Sequence, residues 1–248
     1  MAELARWTPP QITAWRLRRL LDALSWDVHV LVEWWFRKAL NTLPPPPDGI
    51  LYVGGDGSEK SKCGKKHPLA QKGRKGTNQP WFFGVRFALL SVTWETYRLP
   101  VSFRLIRPKT HPDYRKENAL FRDMVDAFIP PAWAHTVIVE GDAGYGSQDN
   151  MKMVMKRDQT ETKRRWGFVF AIARTWKTGE GKAIKDLVTH LPRKYYKRTW
   201  VSGGTGSTRR KTYRIYSKRL CLRHIGDVTV VLSKKGRNAW ARVKPKSW

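Results

Sequence analysis

The sequence has few acidic residues and few cysteines. Only 20 of its 248 residues are Asp or Glu, against 48 Lys and Arg, which gives a formal net charge of +28. A surplus of this size indicates a polyanionic partner, and nucleic acid is the commonest one. The two cysteines, Cys63 and Cys221, lie far apart and form neither a disulfide framework nor a zinc-binding pair. This usage is typical of a reducing compartment, so we expect a cytoplasmic protein.

Long apolar runs are also missing. No stretch approaches the 18 apolar residues of a membrane-spanning helix, and the first residues, MAELARWTPPQ, lack the apolar centre of a secretory signal. There is no Gly-x-Ser-x-Gly motif, so acyl transfer is not predicted. The six histidines do not have the spacing of metal ligands. The 13 tryptophans, in contrast, predict a substantial core, stacking surfaces or both. Small ribosomal proteins with a solvated basic face seldom carry so many.

Apolar spacing predicts a helical N-terminal region over residues 1–47. Leucines and a valine recur at helical intervals from Leu17 to Val28, and the pattern continues to about Leu43. The four prolines 44–47 then end the helix. This region is interpreted as a packing helix, with half of a DNA-binding bundle as the alternative.

The next segment, 48–160, has the pattern of an α/β core. Three early strands with short connections predict a meander, and the helix after them allows a later strand to run parallel beside the first. The basic stretch 60–78 is predicted to be a loop, and residues 161–240 a mostly β insertion. The strands and helices of the core are predicted at 50–55, 81–92, 97–106, 118–128, 137–140 and 147–155.

Two apolar strands end in the same way, on an aspartate with glycines close to it in the sequence. One is ILYVGGDGSEK with Asp56, and the other is VIVEGDAGYGSQDN with Asp142. Mg²⁺ prefers hard oxygen ligands, and phosphoryl transfer on DNA depends on metal ions held by carboxylates. If the two strands are neighbours, both side chains reach one metal. The alternative is structural, because Asp before Gly is also a turn motif.

Other residues near these aspartates are weaker candidates. Glu140 shares a strand face with Asp142, and Glu59 follows Asp56, but a surface role is the alternative for both glutamates. The glycines around Asp56, among them Gly55 and Gly57, are expected to leave room for a phosphate.

The strand motifs YVGGDGSEK and VIVEGDAGYGS, together with the span TWKTGEGKAIKDLVTHLP and the strands after it, resemble bacterial insertion-sequence transposases of the DDE class. The similarity is to the IS-four-like superfamily and covers about Leu51 to Trp248. It implies an RNase H-like mixed sheet with helices, interrupted by a mostly β insertion. It also implies Mg²⁺- or Mn²⁺-dependent DNA strand cleavage and transfer, with Asp56 and Asp142 as the first two catalytic, metal-binding carboxylates.

The resemblance further implies a final Glu in a Tyr-Arg-Glu-Lys arrangement beyond the insertion. Residues 241–248 are expected to begin the return to the core, and no Asp or Glu follows Asp227. We therefore expect the third carboxylate to be missing and the enzyme to be incomplete. The alternative is a non-enzymatic DNA-binding protein that regulates or pairs with an intact transposase. We expect the protein in a bacterial cytoplasm, associated with the nucleoid. Its expected protein partner is a second copy of itself or an intact transposase.

Basic residues in two stretches are predicted to contact the DNA of element ends and target. One stretch surrounds Lys65, and the other follows a Gly-Ser-rich hairpin tip. The predicted contacts are Lys60, Lys62, Lys65, Lys66, Lys72, Arg74, Lys75, Arg209, Arg210 and Lys211.

Overall fold

The chain forms two compact units, Met1–Pro44 and Pro45–Trp248. In the first unit, helix α1 is Val28–Thr42. It ends just before the prolines, as predicted, because proline cannot continue a helix. The predicted helix before Val28 lies outside the described residues. The computed structural model describes residues 28–61, 69–74, 81–201, 211–235 and 238–245.

The second unit is built mainly from strands. Its helices are α2 Glu117–Ala127, α3 Gln148–Thr160 and α4 Ile184–His190. Its described strands are β1 Ile50–Ser61, β2 Gln71–Arg74, β3 Trp81–Trp94, β4 Tyr97–Ile106, β5 Thr136–Gly141, β6 Arg165–Ala171, β7 Lys197–Val201, β8 Lys211–Leu222, β9 Gly226–Lys235 and β10 Asn238–Pro245.

Strands β1 to β6 form a mixed sheet. β3 pairs antiparallel with β1 on one side and with β4 and the short β2 on the other. β5 pairs parallel with β1, and β6 pairs parallel with β5. The predicted α/β class, the early meander and the parallel strand beside β1 are confirmed.

Strands β7 to β10 form an antiparallel sheet in which each strand pairs with the next. β10 also meets β6 at two positions, Arg242 opposite Ala171 and Val243 opposite Phe170. The hydrogen-bonded order is therefore β2-β3-β1-β5-β6-β10-β9-β8-β7, with β4 beside β3.

The core of the mixed sheet follows from its apolar strands and the apolar stripe of α2. Leu51 and Val53 of β1 are fully buried, as are Val137 and Val139 of β5. α2 buries residues spaced three or four apart, which is the spacing of one helix face, and it contacts β3 and β4. α3 is capped by Ser147, whose hydroxyl accepts from Asn150 N at 3.3 Å, and it contacts β6.

Several predicted boundaries are wrong. β1 does not end at Asp56 but continues to Ser61, because β3 pairs with it over its whole later half. Residues 71–74 of the predicted loop form strand β2. α3 extends beyond Met155 to Thr160. The register between β3 and β4 shifts next to Pro100, which has no backbone N–H to donate. No helix in the described ranges is long and apolar enough to cross a membrane.

Candidate metal and nucleic-acid site

The structure brings Asp56 and Asp142 to neighbouring positions where β5 ends beside β1, in the middle of the mixed sheet. The last parallel pair between β1 and β5 is Gly55 with Gly141, and each aspartate is the next residue of its chain. Residues of a strand alternate between its two faces, so Asp56 and Asp142 lie on the same face as the pair Gly54 and Glu140. Both aspartates are exposed.

Asp142 also has a structural role in the turn after β5. Its Oδ1 accepts a hydrogen bond from Gly144 N at 2.8 Å. Its backbone carbonyl accepts from the N–H groups of Tyr145 and Gly146, both at 3.1 Å. The turn interpretation is therefore correct for Asp142, and these hydrogen bonds hold its carboxylate in place after β5.

Tyr145, in the same turn, binds a further carboxylate. The side chain is 3% exposed, and its hydroxyl donates to Glu117 Oε1 at 2.7 Å. Burial raises the pKa of the Tyr145 phenol well above its ordinary value, and the hydrogen bond to Glu117 and the charges of Glu117, Asp56 and Asp142 raise this pKa further. Of these three carboxylates, Glu117 is the one that the phenol contacts by a hydrogen bond.

Glu117 is a carboxylate near this turn that the sequence did not reveal. It begins α2, and its Oε2 accepts from an Arg86 guanidinium nitrogen of β3 at 3.2 Å. A Cβ on Gly57 would collide with Glu117 Oε1, so glycine at that position lets the glutamate reach over β1. A carboxylate in the first turn of a helix is favoured by the helix dipole anyway. Nothing in the sequence pattern therefore distinguishes Glu117 from an ordinary first-turn acid.

The two weaker metal-ligand candidates, Glu140 and Glu59, lie on different faces of the sheet. Glu140 lies against β1, with its Oε1 3.6 Å from the Cβ position of Gly54, and shares the face of Asp56. Glu59 is three residues beyond Asp56 in the same strand, so it belongs to the opposite face. Across the described ranges, no three His, Cys, Asp or Glu side chains are grouped closely enough to hold a metal ion.

Some of the predicted DNA contacts lie on β1 and β2, close to Asp56 in the sequence. Lys60 is exposed on β1, and Lys72 of β2 has its Nζ 5.1 Å from the ring centre of Trp81. Trp81 is itself 56% exposed, which leaves an aromatic ring and a cation together at the start of β3. Arg74 ends β2 and Lys211 begins β8. The remaining predicted contacts lie outside the described residues: Lys62, Lys65, Lys66, Lys75, Arg209 and Arg210.

A scan against protein-family models and a search of curated proteins found no match to this chain. The functional inference therefore depends on Asp56, Asp142 and the charges of the described residues.

Proposed function

We propose that this chain is a DNA-binding protein with the RNase H-like core of a DDE-class transposase, in which Asp56 and Asp142 are two of the carboxylates that such a core uses for metal-dependent cleavage and transfer of DNA strands. The observation that carries the proposal is the position of Asp56 and Asp142. They follow the last register pair of two neighbouring parallel strands and share one sheet face. In a chain of net charge +28, two exposed carboxylates at neighbouring positions of one sheet face suit a cation that bridges protein and phosphate.

The strand order supports the RNase H-like part of the proposal. A meander of β1, β3 and β4 is followed by β5 and β6, both parallel to β1. α2 precedes β5 and α3 precedes β6, as parallel connections require. The sheet order β4-β3-β1-β5-β6 places β1, with the first aspartate, at its centre.

Asp56 and Asp142 would hold Mg²⁺ or Mn²⁺. Their carboxylate oxygens are the hard ligands that these ions prefer, so the two residues fit such a group. When bound, the ion would supply Lewis-acid activation of a phosphate oxygen. The chain itself orients Asp142 through the Gly144 N–H group. Glu117 differs, because Tyr145 and Arg86 each donate to one of its oxygens.

A non-enzymatic DNA-binding protein is the second candidate function. It is favoured by the lack of any grouping of three ligand-type side chains among the residues described. Losing one well-placed electrostatic contact commonly lowers a rate by about 10²–10³-fold. We therefore expect DNA binding without detectable strand cleavage by residues 1–248.

The test of the metal site is a comparison of thermal shifts on adding Mn²⁺. We expect the ion to raise the melting temperature of the wild type and to do so much less in Asp56→Asn and Asp142→Asn. Asp126→Asn is the matched control, because Asp126 is exposed and lies at the other end of α2 from Glu117. Equal shifts in all four proteins would show that no metal binds between Asp56 and Asp142.

A cleavage assay on DNA with the same proteins separates the two candidate functions. Metal-dependent cleavage that Asp142→Asn abolishes would contradict the expected inactivity. It would also mean that another carboxylate completes the site. Glu117→Gln and Glu140→Gln would then identify which one does.

A further inference from the structure

The antiparallel sheet has almost no negative charge. From Leu187 to Trp248 the sequence contains one acidic residue, Asp227. Lysines and arginines recur along β7, β8 and β9. Unlike the mixed sheet, this sheet therefore cannot neutralise its cations from its own sequence.

Three of these cations occupy one cross-strand row. Arg198 of β7 is the register partner of Arg214 of β8, and Arg214 is the register partner of Lys234 of β9. Neighbouring strands are about 4.8 Å apart, so the three positions fall within about 10 Å. We call the register positions of Arg198, Arg214 and Lys234 the cationic row.

The cationic row is unfavourable for the folded chain by itself. Like charges that face each other across antiparallel strands repel, which destabilises the pairing. Neither Arg198 nor Arg214 forms an ion pair with any residue that the structure describes. Arg198 is exposed and Arg214 is partly exposed. Two arginines are therefore held close together with their charges open to an outside partner.

The neighbourhood of the row adds an aromatic surface. Tyr216 lies two residues beyond Arg214 in β8, on the same strand face, and its ring centre is 6.1 Å from that of Tyr196. Lys218 follows at the next position of that face and is exposed. Cations beside aromatic rings are the combination that binds nucleic-acid strands.

We propose that the cationic row binds the phosphodiester backbone of DNA. The inference rests on the proposed DNA-binding function and assigns a contact surface to the antiparallel sheet, at residues other than the predicted loop and hairpin-tip cations. A phosphate backbone supplies the negative charge that the sheet lacks, and successive phosphates can face successive cations. Arginine suits this role because its planar guanidinium binds phosphate through paired hydrogen bonds.

The test is the salt dependence of binding to a short DNA duplex of arbitrary sequence. Each neutralised phosphate contributes about −0.9 to the slope of log K against log salt. In the double variant Arg198→Ala, Arg214→Ala we expect the slope to become less negative by about 1.8, if each arginine contacts one phosphate. The single variant Arg198→Ala should show about half of this change, and its exposed position makes misfolding a minor concern.

Arg98→Ala, Lys163→Ala is the matched control, because it removes the same charge from exposed positions at the opposite edge of the mixed sheet. Arg98 pairs with Thr93, near the start of β1, and Lys163 precedes β6. Its slope should stay close to that of the wild type. An unchanged slope in the row variants, or an equal change in the control, overturns the proposal.

The outcomes also separate this inference from the proposed function. If the wild type binds DNA and the row variants keep the wild-type salt slope, the cationic row is not a DNA contact, and the proposed function stands. The row variants could instead show a less negative slope while Mn²⁺ raises the melting temperature equally in the wild type, Asp56→Asn and Asp142→Asn. That result supports the cationic row and excludes the metal site. A wild type that binds no DNA at low salt overturns both.

Discussion

Tyr145 links the two sides of the candidate site. Its phenol donates to Glu117, at the start of α2, and its backbone N–H donates to the carbonyl of Asp142. Its ring packs against Phe121 with a centroid distance of 4.8 Å. The turn that carries Asp142 is therefore fastened to α2 by one side chain, and Glu117 completes the link to β3 through Arg86.

Replacing Tyr145 with phenylalanine removes the hydroxyl and keeps the ring. Hydrogen bonds to charged groups contribute about 1.5–3 kcal/mol, and Glu117 is partly exposed, so we expect a loss of about 1.5 kcal/mol in the free energy of unfolding. Chemical denaturation at neutral pH measures it. Tyr97→Phe is the control, since the ring of Tyr97 contacts Trp94 and its hydroxyl makes no hydrogen bond with the residues that the structure describes. A loss as large in Tyr97→Phe would contradict the assignment.

The pH dependence gives a second readout of the same variant. The folded pKa of Tyr145 is raised, so its contribution to stability is present below the unfolded pKa of about 10. Above that pH the unfolded chain releases the proton and the folded chain keeps it, so stability falls as the pH rises. Tyr145→Phe should therefore lose less stability than the wild type between neutral pH and pH values above about 10. If the stabilities of the wild type and Tyr145→Phe change with pH in the same way, then burial and Glu117 do not raise the pKa of this phenol.

Strand β1 uses its two faces differently, and its glycines show this. Gly55 and Gly57 lie on the face that meets α2, where they approach Phe121 and Glu117. Gly54 lies on the other face with Asp56. The expectation that all the glycines beside Asp56 make room for a phosphate is thus wrong for Gly55 and Gly57, which make room for the helix.

Gly55→Ala tests the close packing of α2 on β1. A Cβ at Gly55 would collide with the ring of Phe121, a fully buried side chain. Overpacking of this kind costs about 1–3 kcal/mol, and we expect that loss in the free energy of unfolding. Gly54→Ala is the neighbouring control, because its Cβ would lie 3.5 Å from Ser91 Oγ, an ordinary contact. If Gly54→Ala lowers the free energy of unfolding as much as Gly55→Ala does, the loss comes from the strand backbone and not from the packing of α2.

Sequence patterns predicted the elements whose causes are local. These patterns placed β3, β4, α2 and α3 close to their observed bounds. They did not predict the extension of β1 to Ser61, which depends on pairing with β3. Glu117 was missed for a similar reason, because it reaches the site from another element.

Charge dominates at the scale of the whole molecule. A net charge of +28 repels itself, and such repulsion destabilises the compact state. Ion pairs act in the opposite direction, but those described are few and mostly at the surface, such as Arg107 with Asp113 at 2.5 Å. Repulsion should therefore be the larger effect of charge on stability.

Salt should accordingly raise the melting temperature while it weakens DNA binding. The screening length falls from about 10 Å at 0.1 M salt to about 3 Å at 1 M, so repulsion across the molecule is removed in this range. For a domain of this size, 1 kcal/mol corresponds to about 2–4 °C in melting temperature. Scanning calorimetry in sodium chloride measures the shift, with a neutral osmolyte as the control. A melting temperature that falls with salt would show that ion pairs outweigh repulsion.

The parallel pairing of β1 with β5 joins distant parts of the chain. Leu51 pairs with Val137, and the difference 137 − 51 separates them by 86 positions, whereas β3 and β4 join through the turn at Glu95 and Thr96. Closing so long a loop has a larger entropic cost than closing a hairpin. During synthesis, the ribosome makes Asp56 long before the strand that will stand beside it. A nascent chain that has grown as far as β4 can form the meander but has no pair of aspartates, so the chemistry of the site begins only when β5 arrives.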